Sequence, residues 1–162
     1  MRHREARLRA VQMLEIVGQD TAPIDTDVVA KYLRFDVIPF AFPDDVSGVT
    51  YITEDVKSIG VNQYHDLTRQ RFSVAHEIGH YLLGHEAYDN DAVHVEQGRW
   101  LLAPHSRQEQ EANEFAAELL MPKFLLEREG IRPDVDVKWL ARKYNVSEQA
   151  LWIQLLDHKI LS

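Results

Sequence analysis

Cysteine is absent from this 162-residue sequence. That excludes a disulfide framework and any metal site built on thiolates. A transition metal, if bound, must be held by histidine, aspartate and glutamate. Long apolar runs are missing too. No stretch approaches the ~20 residues that a membrane-spanning helix needs, so no membrane association is expected. The charged start, Met1 to Arg7, leads into no apolar segment of the kind a secretory signal requires, and a cytoplasmic protein is expected. Positive charge is also in short supply: 18 Lys and Arg against 26 Asp and Glu leave a net charge of -8. General nucleic-acid binders neutralise phosphates with a basic surface, so direct DNA binding is not expected. Arg2, Arg4, Arg7 and Arg9 read as a solvated helix face.

The chain does hold enough apolar material for one core, 45% of residues, with 27% charged. The patterning predicts an α+β fold. Leu8, Val11, Leu14 and Ile16 mark a helix over about 3–18, stopped by Gly18. Asp25 can cap a short helix running to about Arg34. Three strands follow, over 37–42, 48–53 and 58–62, with Pro39 placing the first at an edge. Together they predict a small antiparallel sheet. A long helix spans about 68–83 and ends at Gly84. Residues 85–105 carry little pattern; a lid over a cleft is one role open to them. A strong helix covers about 106–121, and Pro122 opens a short one ending near Gly130. Two further helices, about 136–144 and 148–158, flank Asn145-Val146-Ser147 and resemble a helix-turn-helix. The second offers Glu148, Gln149, Gln154 and Asp157, a set that suits packing or docking better than DNA. The expected division is 1–130 and 131–162.

Inside the long helix stands His76-Glu77-Ile78-Gly79-His80. Residues four apart lie one turn apart on the same helix face, so His76 and His80 can reach one ion. Glu77, beside the first ligand, can take a proton from a zinc-bound water. Gly79 suits a place where a neighbouring element comes close. A catalytic zinc normally has three protein ligands. The helix from Ser106 supplies the third. Glu109 shares a side with the apolar stripe Ala112, Phe115, Ala116, Leu119 and Leu120. An inward carboxylate needs a partner, which a metal would provide. Glu111 is the runner-up, although Glu111, Glu114 and Glu118 form a stripe expected to face solvent. Two alternatives stay open. Ser106-x-x-Glu109 also fits a capping box, which would engage Glu109 at the helix start. Asn113, one turn after Glu109, could orient a ligand histidine or bond to backbone. His85 is expected at the surface. His65 and His105 could approach the site, and His94 carries no signal.

The string Thr68 to His80, followed by Glu109-x-x-Ala112-Asn113-x-Phe115-Ala116-Ala117-Glu118-Leu119-Leu120-Met121-Pro122, resembles the ImmA/IrrE family of bacterial and phage metallopeptidases. So does the Gly60-Val61-Asn62 strand before it. The resemblance implies a zincin-like fold, Zn2+ as cofactor, His76, His80 and Glu109 as ligands, and Glu77 as general base. It also implies limited proteolysis of a DNA-binding transcriptional repressor, carried on a separate protein. An extended substrate could add to the strand around Ile59 to Asn62. The alternative is a non-catalytic metal-binding regulator that binds a repressor without cutting it.

Overall fold

The computed structural model describes residues 2–85, 94–96, 99–101 and 107–162. In chain order these form α1 (Arg2–Val17), α2 (Thr26–Tyr32), β1 (Asp36–Phe40), β2 (Gly48–Ile52), β3 (Lys57–Asn62), α3 (Leu67–Leu82), β4 (His94–Glu96), β5 (Arg99–Leu101), α4 (Arg107–Leu120), α5 (Lys123–Arg128), α6 (Val137–Tyr144) and α7 (Glu148–Asp157). The α+β expectation holds. Most element ends carry the predicted signals. Gly18 closes α1 at φ 70°. Asp25 caps α2, its carboxylate accepting from the amides of Asp27 and Val28 at 2.9 and 3.3 Å. The start of α3 carries a cap that the sequence reading does not name: Asp66 accepts from the Arg69 amide at 2.9 Å. The helix expected from 106 starts at Arg107. Ser106, and with it the capping-box alternative, lies outside the described residues. So does most of the 85–105 segment, apart from the short antiparallel pair β4–β5.

The sheet differs from the expectation: it is mixed, in the order β1–β3–β2. β2 and β3 form an antiparallel hairpin closed by Thr53 N to Val56 O at 2.7 Å. β1 then pairs with the far side of β3, parallel to it, with Val37 opposite Ile59. The link from β1 to β2 therefore passes over the end of β3. Buried Asn62 pins that link, its amide donating to Val46 O at 2.9 Å and Pro43 O at 3.0 Å. His65 Nε2 meets Asp44 O in the same turn at 2.9 Å. Strand patterning records which faces are buried but not which neighbour a strand selects, so the parallel pair was not visible in it. Because β3 is central and paired on both sides, it cannot take a substrate strand, and that expectation is corrected. β1, with Pro39, lies at an edge as predicted.

α3 packs between the sheet and α4, and α1 covers another side of α4. Ala6 and Ala10 of α1 and Ala112 and Ala116 of α4 are fully buried, and small side chains allow these helices to approach closely. The core runs through Ile59 on β3, Ile78 on α3, and Phe115 and Leu119 on α4. Gly79 sets the α3–α4 spacing. A Cβ added there would lie 2.9 Å from Phe115 Cδ1 and 3.1 Å from its Cβ.

The two expected C-terminal helices are α6 and α7. Asn145 ends α6 in the left-handed region, and Ser147 caps α7. Both dock on the α3–α4 pair. Arg71 of α3 donates to Asn145 O at 3.1 Å. Gln154 of α7 donates to Glu118 of α4 at 2.9 Å. No helix among the described residues is long and apolar enough to cross a membrane.

Alanine is a better helix former than glycine by about 1 kcal/mol. At position 79 the clash with Phe115 outweighs that gain, since overpacking typically costs about 1–3 kcal/mol. Gly79→Ala is expected to lower the urea unfolding midpoint. A raised midpoint would show that the helices are not in contact here.

Candidate metal centre

His76 and His80 leave α3 one turn apart, and Glu109 reaches them from the first turn of α4. His76 Nε2 lies 3.0 Å from Glu109 Oε2, and His80 Nε2 lies 2.9 Å from Glu109 Oε1. The two Nε2 atoms are 3.0 Å apart. Three ligand atoms thus face one point, and His76, His80 and Glu109 form a group that could hold a metal ion. Two imidazoles and one carboxylate are a donor set suited to zinc.

The electrostatics favour an ionised carboxylate. Burial opposes charge on Glu109, but the bonds from His76 and His80 and their charges hold it well below the usual carboxylate range. For His76, burial again works against charge. The bond to Glu109, the charges of Glu77 and Glu109, and a bond to Asn113 together hold it above its ordinary value. Asn113 thus lies beside the His76 ring. Its side chain is exposed, so the alternative of a buried amide does not apply.

Glu77 sits beside this group without belonging to it. Its Oε2 accepts a 2.5 Å hydrogen bond from Thr50 Oγ1 of β2. Gly48 of the same strand also lies over it, since a Cβ at 48 would be 3.5 Å from Glu77 Cγ. Thr50 was not singled out from sequence, because nothing in strand patterning says which helix residue a strand hydroxyl will meet.

Three sequence expectations need correction. Glu111 does not face solvent: it is 5% exposed, and its Oε2 lies 2.9 Å from His85 Nε2. It is not a ligand in this group either, so the runner-up position falls away. His85 is not at the surface but buried at 5%. Its Nδ1 lies 2.8 Å from Nδ1 of His80. Glu118 is likewise buried, accepting from Gln154 and meeting His158 Nε2 at 2.6 Å. The stripe argument failed because α4 is covered on several sides. Even Glu114, half-buried, pairs with Arg7 of α1 at 2.9 Å, so Arg7 is not merely solvated. His65 bonds within the 43–46 turn and does not join the site. His105, and the side chain of His94, lie outside the described residues.

The signal that could have placed His85 was present. Gly84, at φ 67°, follows the helix as the left-handed residue. His85 N bonds back to His80 O at 3.1 Å and Gly84 N to Tyr81 O at 3.2 Å. This is a Schellman turn, which folds the residue after the glycine back onto the helix three positions before the cap. Here those residues are His85 and His80.

A family model described as the IrrE N-terminal-like domain, from a peptidase family, matches residues 30–155. This chain belongs to that family. The IrrE-type match spans α3 and α4 and so includes every residue of the group above. A solved Mycobacterium tuberculosis transcriptional regulator has a similar fold, with a TM-score of 0.63 at 19% identity over 91% of this chain. The chain spans 45% of that regulator's length. No curated protein matches its sequence.

Glu109 and Glu114 lie on the same helix with different partners. Glu109→Ala is expected to abolish stoichiometric zinc uptake, and Glu114→Ala to leave it intact. Metal analysis after dialysis against zinc checks both. Retained zinc in Glu109→Ala would move the third ligand elsewhere.

Proposed function

We propose that this IrrE-type domain is a zinc-dependent endopeptidase, with His76, His80 and Glu109 as ligands and Glu77 as general base. The observation that carries the reading is a division of labour among four neighbouring side chains. Three aim at one point, and the fourth, a carboxylate next in sequence to a ligand, is held apart by Thr50. Held by His76, His80 and Glu109, a zinc ion would supply Lewis-acid polarisation of the scissile carbonyl and of the attacking water. Glu77 takes a proton from the attacking water and passes it to the leaving amine as the peptide C–N bond breaks. The bond from Thr50 anchors one carboxylate oxygen and so fixes the direction in which Glu77 presents the other.

The substrate we propose is a DNA-binding transcriptional repressor. Family resemblance supports this, as does the likeness in fold to a protein named a transcriptional regulator. The net charge of -8 supports a protein partner over direct DNA binding. We also propose that residues 131–162 form a packing or docking unit, in a protein that works in the cytoplasm.

The test pairs Glu77→Gln with His80→Ala. Glu77→Gln is expected to keep one zinc per chain and to cleave about 100- to 10,000-fold more slowly, the usual range for a lost general base. His80→Ala is expected to lose the metal. Thr50→Val should keep the zinc and slow cleavage about tenfold, as for one lost hydrogen bond to a charged group. Undiminished cleavage by Glu77→Gln would reject the peptidase mechanism. A wild-type protein that binds zinc and its repressor without cutting it would favour the non-catalytic regulator instead.

A further inference from the structure

We infer that His85 and Glu111 form a positioning relay behind His80, locking that imidazole in the tautomer and orientation a metal ligand needs. The inference rests on the metal-site reading proposed above and extends it to two residues that do not touch the metal.

His80 turns Nε2 toward Glu109 and His76 and Nδ1 the opposite way, 2.8 Å from Nδ1 of His85. Both rings are buried. Two ring nitrogens at that distance share one proton, donated by one and accepted by the other. A histidine that binds a metal through Nε2 carries its proton on Nδ1. His85 Nδ1 must then be the bare acceptor, so the His85 proton sits on Nε2. That atom is 2.9 Å from Oε2 of Glu111, a buried carboxylate able to accept it. Each assignment forces the next.

The rival arrangement is a plain ion pair between Glu111 and a doubly protonated His85. It would place a proton on His85 Nδ1, facing His80. His80 would then accept at Nδ1 and keep its own proton on Nε2, the atom that has to face the metal. The ion pair and the metal site are therefore mutually exclusive, and the neutral relay is the form compatible with binding. Its surroundings favour that form. Both rings and the Glu111 carboxylate are buried, where a neutral imidazole costs less than a second charge. Partners of this kind orient metal-bound histidines and raise their basicity.

The Schellman turn at Gly84 builds the relay. It swings His85 back over the last turn of α3, and α4 brings Glu111 in from the opposite side, two residues beyond Glu109. One helix thus supplies a ligand to one side of His80 and the end of its support to the other.

The test compares two substitutions of equal size. His85→Leu and His85→Asn both remove the imidazole from Glu111, and urea unfolding of each variant reads any loss of folding separately. They differ in polarity: asparagine keeps an acceptor at the δ position, where it can receive the His80 proton, and an N–H that can face Glu111, whereas leucine offers neither. Zinc affinity is read by competition with a chromophoric chelator. His85→Leu is expected to bind zinc about 10- to 100-fold more weakly than wild type. His85→Asn is expected to restore most of the loss. Equal affinities in the two variants, whether both strong or both weak, would overturn the relay and leave the metal site standing. A wild type that takes up no zinc would instead overturn the proposed function itself. A second measurement does not depend on how the variants fold. Nitrogen-15 NMR of the zinc-loaded wild type should place protons on His80 Nδ1 and His85 Nε2. The opposite tautomer at either ring would overturn the relay.

Discussion

A carboxylate on one helix has to meet two imidazoles on another, and the distance between α3 and α4 decides whether it can. Glu109 spans the gap at 2.9 and 3.0 Å, so a shift of one ångström would break the group. The spacing is set inside the motif itself. Gly79 lies between the two histidines on the contacting face, and Phe115 fills the room its missing side chain leaves. α1 packs against another side of α4, with its Ala6 and Ala10 fully buried. Beyond α3, β2 presses close enough to hydrogen-bond Glu77. The proposed ligands sit on helices wedged between packed elements and not on loops, the arrangement that gives a site its precision.

Charge placement fixes the rotation of α4 as firmly as packing fixes its distance. Glu111, Glu114 and Glu118 each accept from a side chain of another element: His85 after α3, Arg7 on α1 and His158 at the end of α7. Two of these carboxylates are buried, and a buried charge stripped of its partner is costly, by several kcal/mol in typical cases. The helix cannot turn about its axis without stranding them. Glu109, two, five and nine residues earlier on the same helix, therefore has its direction set by contacts made elsewhere. The acidity of the chain is thus partly structural.

The legible part of the protein was the part governed by local rules. The i, i+4 spacing of His76 and His80, the cap at Asp25 and the stop at Gly84 all depend on neighbours in sequence. Glu109 was also within reach, because the absence of cysteine narrowed the ligand types and helical spacing turned one glutamate inward. What stayed hidden depended on partners far along the chain. The parallel pairing of β1 with β3 follows from a link held by Asn62, more than fifteen residues away from it. Glu118 looked solvent-facing because its partner lies 40 residues on. His85 is the exception that local rules could have reached. The glycine cap was recognised, but the inward turn of the residue after it was not followed through.

Diffraction from zinc-soaked crystals, with data collected on both sides of the zinc absorption edge, tests the central claim most directly. The account predicts one anomalous peak per chain, about 2.0–2.2 Å from the Nε2 atoms of His76 and His80 and from a carboxylate oxygen of Glu109. A peak held by other side chains, or none at full zinc occupancy of the solution, would contradict it.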